Sequence, residues 1–319
     1  MPNPEFNSQL STTIDNFVPT LVDNAFSSKP FMWILKNEGR IQNKEGGNRC
    51  IAPLLYAESN NVGSYSGSDT FTTDEDDNIT AAEYEWKQFY GLFLVKGIEK
   101  AKNAGGKTQI LDLIKARAKA TEMTIAEKLD EQFFGDGAGN GGKDFIGLSA
   151  IIEASDPSWG DLGGIDSATN AWWQSTEDNT SEAIATWGLA GMSNMWNTVS
   201  EGNDHPTHLI TTAAVFGGFE AILTANARYM DPEVGDAGFQ NLLYKGVPVV
   251  FDKYCQTGVM YFVNINYITL YSLAGVWFEP SEFVTPPNQD VMYKYLKLYG
   301  ALTTDNRKRH GKHTAFTDA

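Results

Sequence analysis

Residues 107–134 read KTQILDLIKARAKATEMTIAEKLDEQFF, and residues 135–148 continue as GDGAGNGGKDFIGL. In the first part, small or apolar side chains return at Ile110, Ile114, Ala118, Thr121, Ile125, Leu129 and Phe133. Steps of three and four place them on one stripe of an α-helix. Asp112, Lys115, Arg117, Lys119, Glu122, Glu127, Lys128 and Glu131 fall off that stripe and predict a solvated or partner-facing side. No glycine or proline breaks the run from Thr108 to Phe134, so the helix would extend roughly 40 Å. A helix of that length in a mixed chain predicts a spine against which sheets pack.

The glycine-rich continuation invites a phosphate-binding reading, which its chemistry rejects. Gly137 to Lys143 fits the first seven positions of such a loop, but Asp144 stands where a Ser or Thr hydroxyl would hold Mg²⁺. The loop also follows a helix instead of leading from a strand into one, and Asp144 would repel phosphate. A calcium loop fails too, because Ala138 occupies a ligand position and no glutamate closes the loop. The remaining reading is a corner whose glycines take positive φ as the chain leaves the helix.

The chain has 319 residues, 42% hydrophobic and 12% aromatic, which is enough to bury a core in two packed lobes and argues against wholesale disorder. Its 24 basic and 40 acidic residues leave a formal charge of −16, which disfavours non-specific nucleic-acid binding and makes particles repel one another. Cys50 and Cys255 lie in strand-like runs and read as buried thiols. The N-terminal sequence MPNPEFNSQLST has no secretory pattern, and no run of about 18 apolar residues predicts a membrane span. Synthesis in a cytoplasm is the expectation.

Residues 1–30 predict an arm carrying a short amphipathic piece, interrupted at Pro19, and Pro30 opens a short helix. Arg49 to Tyr56 and Tyr84 to Val95 predict two strands. The long polar run between them, with Asp74, Glu75, Asp76 and Asp77, predicts a hairpin arm, since unstructured loops above about 12–15 residues are uncommon inside compact domains. Gly63 to Gly67 imitates a nucleophile elbow but centres on Tyr65, not a serine. Trp159, Trp172 and Trp173 mark a loop-rich lobe whose rings fill it or, alternatively, meet a sugar. Ser181–Val199 predicts a helix, His208–Thr212 a strand, Ala213–Asn226 a helix, and residues 238–278 several short strands with a break at Gly246 to Pro248. Residues 290–304 alternate, with Tyr293, Tyr295 and Tyr299 on one face and Lys294, Leu296 and Leu298 on the other, as a long final strand. Arg307, Lys308 and Arg309 open a basic tail, read as a solvated terminus or a salt-bridging contact with an acidic neighbour, with a nucleic-acid contact as the alternative. The four histidines, His205, His208, His310 and His313, have no partner cysteine or defined carboxylate, so no metal site, cofactor or catalytic group is assigned.

Taken together, LSTTIDNFVPTLVDNAF at 10–26, NVGSYSGSDT and ITAAEYEWKQFYGLFLVKGIEK in the arm, EQFFGDGAGNGGKDFIGLSAII after the spine, GGIDSATNAWWQ, DAGFQNLLYKGVPVVFD and the closing NRKRHGK resemble the major capsid protein of a tailed bacteriophage. The resemblance spans most of the chain and rests on the order and spacing of these pieces. It implies the α+β capsid fold that tailed phages share with encapsulins and the herpesvirus capsid floor. The implied parts are an N-terminal arm at 1–30, an extended loop at 46–97, a peripheral domain at 31–45, 98–143 and 279–319, and an axial domain at 144–278. The implied function is non-enzymatic: hexamers and pentamers forming an icosahedral procapsid and virion shell, assembled in the host cytoplasm, around double-stranded DNA that it contacts without sequence specificity. The implied partners are further copies of the chain, a separate scaffolding protein and a portal at one vertex, with no membrane and no cofactor. Inter-subunit contact falls on Tyr65, Asp69, Phe71, Asp74, Asp76 and Asp77 of the extended loop, and on Arg307, Lys308 and Arg309. Some relatives crosslink through a lysine of this loop; Glu58 to Glu83 contains none, the nearest being Lys44 and Lys87, which puts crosslinking in doubt. The competing readings are an encapsulin shell enclosing enzymes, a ligand-binding module using the Trp-rich lobe, and an enzyme using the glycine corner on a nucleotide.

Overall fold

The computed structural model describes residues 29–71, 73–102, 107–223 and 241–317. The expected arm therefore lies outside the described residues, apart from its last two positions. In chain order the elements are α1 (Pro30–Asn37), β1 (Ile41–Lys44), β2 (Cys50–Leu55), β3 (Ile79–Tyr84), β4 (Lys87–Lys96), α2 (Gly97–Lys102), α3 (Lys107–Phe134), α4 (Leu148–Ile151), β5 (Thr176–Asp178), α5 (Ile184–Val199), β6 (His208–Thr211), α6 (Ala213–Ile222), β7 (Asn241–Tyr244), β8 (Val247–Phe251), β9 (Met260–Val263), β10 (Ile268–Pro280), β11 (Val291–Thr304) and β12 (Gly311–His313). They form a four-stranded sheet β1-β10-β11-β4, a six-stranded sheet β5-β12-β9-β6-β8-β7 and the ribbon β2-β3. No helix among the described residues is long and apolar enough to cross a membrane.

The spine helix is α3, with the predicted bounds. Ala118, Ile125, Leu129 and Phe133 of the predicted stripe are buried and Thr121 is half-buried; the side chains of Ile110, Ile114, Asp112 and Lys115 lie outside the described residues. The stripe meets β4, whose alternation turns Gly91, Phe93 and Val95 inward. A β-carbon on Gly91 would come within 2.8 Å of Ile125 Cγ1 and 3.0 Å of Thr121 Cγ2, so the helix approaches the strand as closely as a bare backbone allows. One assignment is corrected here: Glu122 is buried, not solvated. It belongs to a second buried stripe with Ala126, Asp130 and Phe134, spaced at i, i+4. Phe134 packs on Phe31 of α1 at 5.7 Å and on Tyr261 of β9 at 6.2 Å. The C-terminal half of α3 is thus enclosed from two directions, which a single amphipathic stripe does not anticipate.

The glycine corner ends the helix by close approach. A β-carbon on Gly147 would collide with the backbone carbonyl oxygens of Gln132, Phe133 and Gly135. Asn140, Gly141 and Gly142 all take positive φ, as expected of a tight corner. Asp144 accepts from Gln132 Nε2 at 3.0 Å, which ties the corner back to the helix.

Three further expectations are revised. Tyr84 to Val95 is not one strand: β3 ends at Tyr84, and the chain changes sheet at Glu85 and Trp86. Trp86 donates to Gly47 O at 2.8 Å and Lys87 to Gly142 O at 2.7 Å, anchoring the change of direction. The helix predicted from Ser181 begins at Ile184, because Glu182 is instead bridged to Phe316, and its backbone kinks at Gly188 with φ 54°. The helix predicted to Asn226 ends at Ile222 within the described residues.

The basic tail is not a solvated terminus. After β11, residues 307–313 return to the six-stranded sheet, where β12 pairs with β9 and β5, so the final strand is β12 and the end of the chain leaves the sheet of β11. The Arg307 guanidinium is fully buried. It donates to Ile151 O at 3.1 Å, Glu153 O at 3.0 Å and Ser155 O at 3.1 Å, and pairs with Asp156 at 3.4 Å. It therefore satisfies carbonyls at and beyond the end of α4 that have no helical partner. Arg309 is spent on Glu201 and Asp204, leaving Lys308 exposed.

Two apolar cores result. One joins α1, α3, the ribbon root and the four-stranded sheet; the other fills the space between α5, α6 and the six-stranded sheet. Substituting Gly147→Ala is predicted to lower the unfolding free energy of the dissociated chain by about 1–3 kcal/mol, read as a lower urea midpoint, because three backbone oxygens cannot move aside as a side chain can. A second prediction concerns His310, which is buried with Nδ1 accepting from Asn264 N at 3.2 Å, a role only the neutral ring can fill. Burial, then the nearby Arg307 charge, pushes its pKa down to about 3, below its ordinary 6.5. The unfolded ring binds a proton first, so His310 contributes stability above about pH 6.5 that is lost at about 1.4 kcal/mol per pH unit as the pH falls towards 3. Urea unfolding of wild type and His310→Gln between those limits should show the slope in the wild type and its reduction in the variant.

Candidate assembly surface

The ribbon β2-β3 has one face held and one face free. Register pairs Cys50 with Tyr84, Ala52 with Ala82 and Leu55 with Ile79. Cys50, Ala52, Leu54, Ala82 and Tyr84 alternate onto the buried face. A β-carbon on Gly163 would lie 2.8 Å from Ala82 Cβ, so the lobe at 162–173 sits hard against the ribbon. Tyr84 donates to Thr304 O at 2.7 Å from full burial, which pushes its phenol well above its ordinary pKa. Tyr56 stacks on Trp172 at 5.0 Å. The root is therefore fixed in orientation.

The opposite face is apolar and open: Ile51, Leu55 and Ile79 are exposed, Leu55 to 76%. Beyond it the tip carries Val62, Tyr65 and Phe71, all exposed, with the two rings edge-to-face at 5.0 Å. The tip is organised by its own polar groups. Asp76 accepts from Ser59 Oγ at 2.5 Å, Asn60 N at 3.1 Å and Asn61 Nδ2 at 3.1 Å, and Asp69 from Ser66 N at 2.6 Å. Of the six predicted contact residues in this loop, Tyr65 and Phe71 are thus brought together at the surface, Asp74 and Asp77 are exposed, and Asp69 and Asp76 hold the loop's shape.

A second open surface was not anticipated. On β4, Tyr90, Leu92 and Leu94 point away from α3 and are exposed, Tyr90 to 71%. Across the ladder Leu92 faces Tyr295 and Leu94 faces Tyr293, on the predicted tyrosine face of β11. Tyr293 and Tyr295 stack at 6.3 Å, Lys297 lies over Tyr295 at 4.9 Å, and Tyr90, Leu92, Tyr295 and Tyr299 line a shallow depression of about 290 Å³. In the sequence, β4 has apolar residues at both parities, which reads as a strand buried on both faces; only the position of α3 shows that one face is uncovered.

The other candidates are occupied from within. Arg307 and Arg309 are committed as described, so the three-residue basic patch is reduced to Lys308 at the surface. The tryptophans do not form an open platform: Trp173 is buried and donates to Leu162 O at 2.9 Å, Trp172 is stacked, and Trp159 donates to Asp136 O at 2.8 Å. The carboxylates of Asp156, Asp161 and Asp166 come within 4.8 Å of one another, but Asp156 and Asp166 already accept from Ser167 N and Ala168 N.

No protein-family model and no curated protein sequence matches the chain. Solved structures do match. The capsid asymmetric unit of cyanophage A-1(L) superposes with a TM-score of 0.68 at 16% identity, covering 88% of this chain and 90% of that one. The capsid of an empty GTA particle gives 0.58 at 10% identity, covering 89% of each. The holo-SrpI encapsulin complex from Synechococcus elongatus gives 0.55 at 11% identity, covering 87% of this chain and 85% of that one. At these identities the likeness is one of fold: the chain has the α+β capsid fold found in tailed phages and in an encapsulin.

Proposed function

We propose that the chain is a structural shell subunit, the major capsid protein of a tailed phage, assembling as hexamers and pentamers into an icosahedral shell around double-stranded DNA. The observation that carries this reading is the ribbon with a locked root and an exposed apolar face running from Ile51 and Leu55 to Tyr65, Phe71 and Ile79. Burying a leucine or isoleucine side chain contributes about 1.5–3 kcal/mol, whereas an exposed ion pair contributes about 0–1 kcal/mol. The apolar residues, not the acids of the tip, then supply most of the contact energy, and Asp74 and Asp77 set its orientation. A second copy of the chain is the partner that the repeated fold likeness to assembled shells supports. On this reading the ribbon and its tip form the extended loop, the four-stranded sheet with α3 forms the peripheral domain, and the six-stranded sheet with residues 307–317 forms the axial domain.

The formal charge of −16 suits a wall around DNA that must not adhere to it. Scaffold, portal, virion location and assembly in the host cytoplasm follow from the same reading. It assigns the chain no catalytic step.

The test is sedimentation and negative-stain electron microscopy of the purified full chain, supplemented with its scaffold if the chain alone stays dispersed. The paired substitutions Leu55→Ser and Ile79→Ser are predicted to leave unfolding within about 0.5 kcal/mol of wild type, since both sites face solvent in the isolated subunit. They should abolish rings and shells. Shells of normal yield from that variant would remove the ribbon from the assembly contact, and a wild-type chain monomeric under every condition would sink the shell reading.

A further inference from the structure

Asp130 and Asp252 are buried acids for which the shell reading has no use. Asp130 lies on the second stripe of α3, and Asp252 immediately follows β8 in the six-stranded sheet. They are 0% and 2% exposed. Asp252 accepts from Tyr254 N at 3.1 Å and faces the Phe31 N–H at the start of α1, whereas both oxygens of Asp130 have no protein donor. The two carboxyl groups lie within hydrogen-bonding reach of each other. Ionised carboxylates are acceptors only, so two that face each other repel and leave both sets of lone pairs unmet. One proton converts one of them into a donor and removes one of two buried charges.

The surrounding charges support a single proton. From the start of α1, the Lys29 ammonium faces both carboxyls, and it also lies 5.4 Å from the Tyr254 ring. From α3, Glu127 is at the surface, paired with Lys253 of the sheet side at 3.8 Å, and the Cys255 thiol next to Asp252 is pushed up by burial. One ammonium balances one carboxylate, so the second acid is neutralised by a proton.

We propose that Asp130 and Asp252 share one proton at neutral pH and form a pH-sensitive latch that holds α3 to the six-stranded sheet and loosens when the proton leaves. Burial first, and then the facing carboxylate, raise Asp130 from 3.8 to about 9; burial also raises Asp252. The sign is opposite to that of His310. An acid raised on folding contributes stability below its unfolded pKa, and that contribution is lost as the pH rises towards the folded value, here between about pH 4 and about pH 9. Alkaline conditions therefore loosen the joint between the two sheets, whichever assembly the chain enters.

The test uses the full chain, dissociated or assembled. Infrared difference spectroscopy at neutral pH is expected to show a protonated carboxyl band that disappears in Asp130→Asn and in Asp252→Asn. In the first variant the amide can donate to Asp252 in place of the proton, so the joint stays closed and the fold is retained. Thermal unfolding of the wild type is expected to weaken steadily from about pH 6 to about pH 9, while Asp130→Asn is flatter over that range. A wild type without the band overturns the proposal. So does a band that survives in both variants, because it would belong to another buried acid such as Glu122. An unchanged pH slope in Asp130→Asn would also overturn it.

Discussion

Ile125 of α3 occupies the space that a side chain on Gly91 of β4 would need. That contact fixes how close the longest helix can lie to the four-stranded sheet, and much else follows from it. With the helix drawn down on Gly91, Phe93 and Val95, its next stripe, Ala126, Asp130 and Phe134, faces α1 and the six-stranded sheet. One helix thereby joins both sheets, and its buried faces belong to two interfaces rather than one.

The same geometry explains what is left uncovered. Alternation along β4 puts Tyr90, Leu92 and Leu94 on the face opposite α3, where nothing in the chain covers them among the described residues. The ribbon β2-β3 repeats the arrangement, with Ala52 and Ala82 held against the lobe at 162–173 and Leu55 and Ile79 turned outward. Exposed apolar residues of this density on rigid supports suit contact with another molecule. Interior anchors such as Arg307 and Tyr84 hold those supports in place without reaching the surface.

Much of this was legible in the sequence, and the exceptions have physical causes. The spine helix and the tyrosine face of β11 were readable because a period of 3.6 or 2 is set by local backbone geometry. The glycine corner was readable because positive φ favours glycine. Glu122 and Asp130 were misread or passed over because acids signal solvent unless a second packing surface is known. Arg307 looked like part of a solvated basic run because its partners, the carbonyls of Ile151, Glu153 and Ser155, lie far away in sequence. The switch between β3 and β4 was missed because Glu85 and Trp86 carry no glycine or proline; the turn is held by Trp86 on Gly47 O, a long-range bond. The hairpin was legible as a long polar run between two strands, but the outward apolar faces of β2-β3 and β4 were not, since they depend on which side α3 takes.

Amide hydrogen exchange, compared between the assembled and dissociated states of the same preparation, tests most directly whether these outward faces meet another copy. The account predicts that residues 56–78 exchange readily in the dissociated chain and become protected on assembly, together with residues 88–94 of β4. It predicts little change in α3 from Thr121 to Phe134, which is already buried in the subunit. Equal exchange of residues 56–78 in both states, with new protection confined to other surfaces, would contradict it.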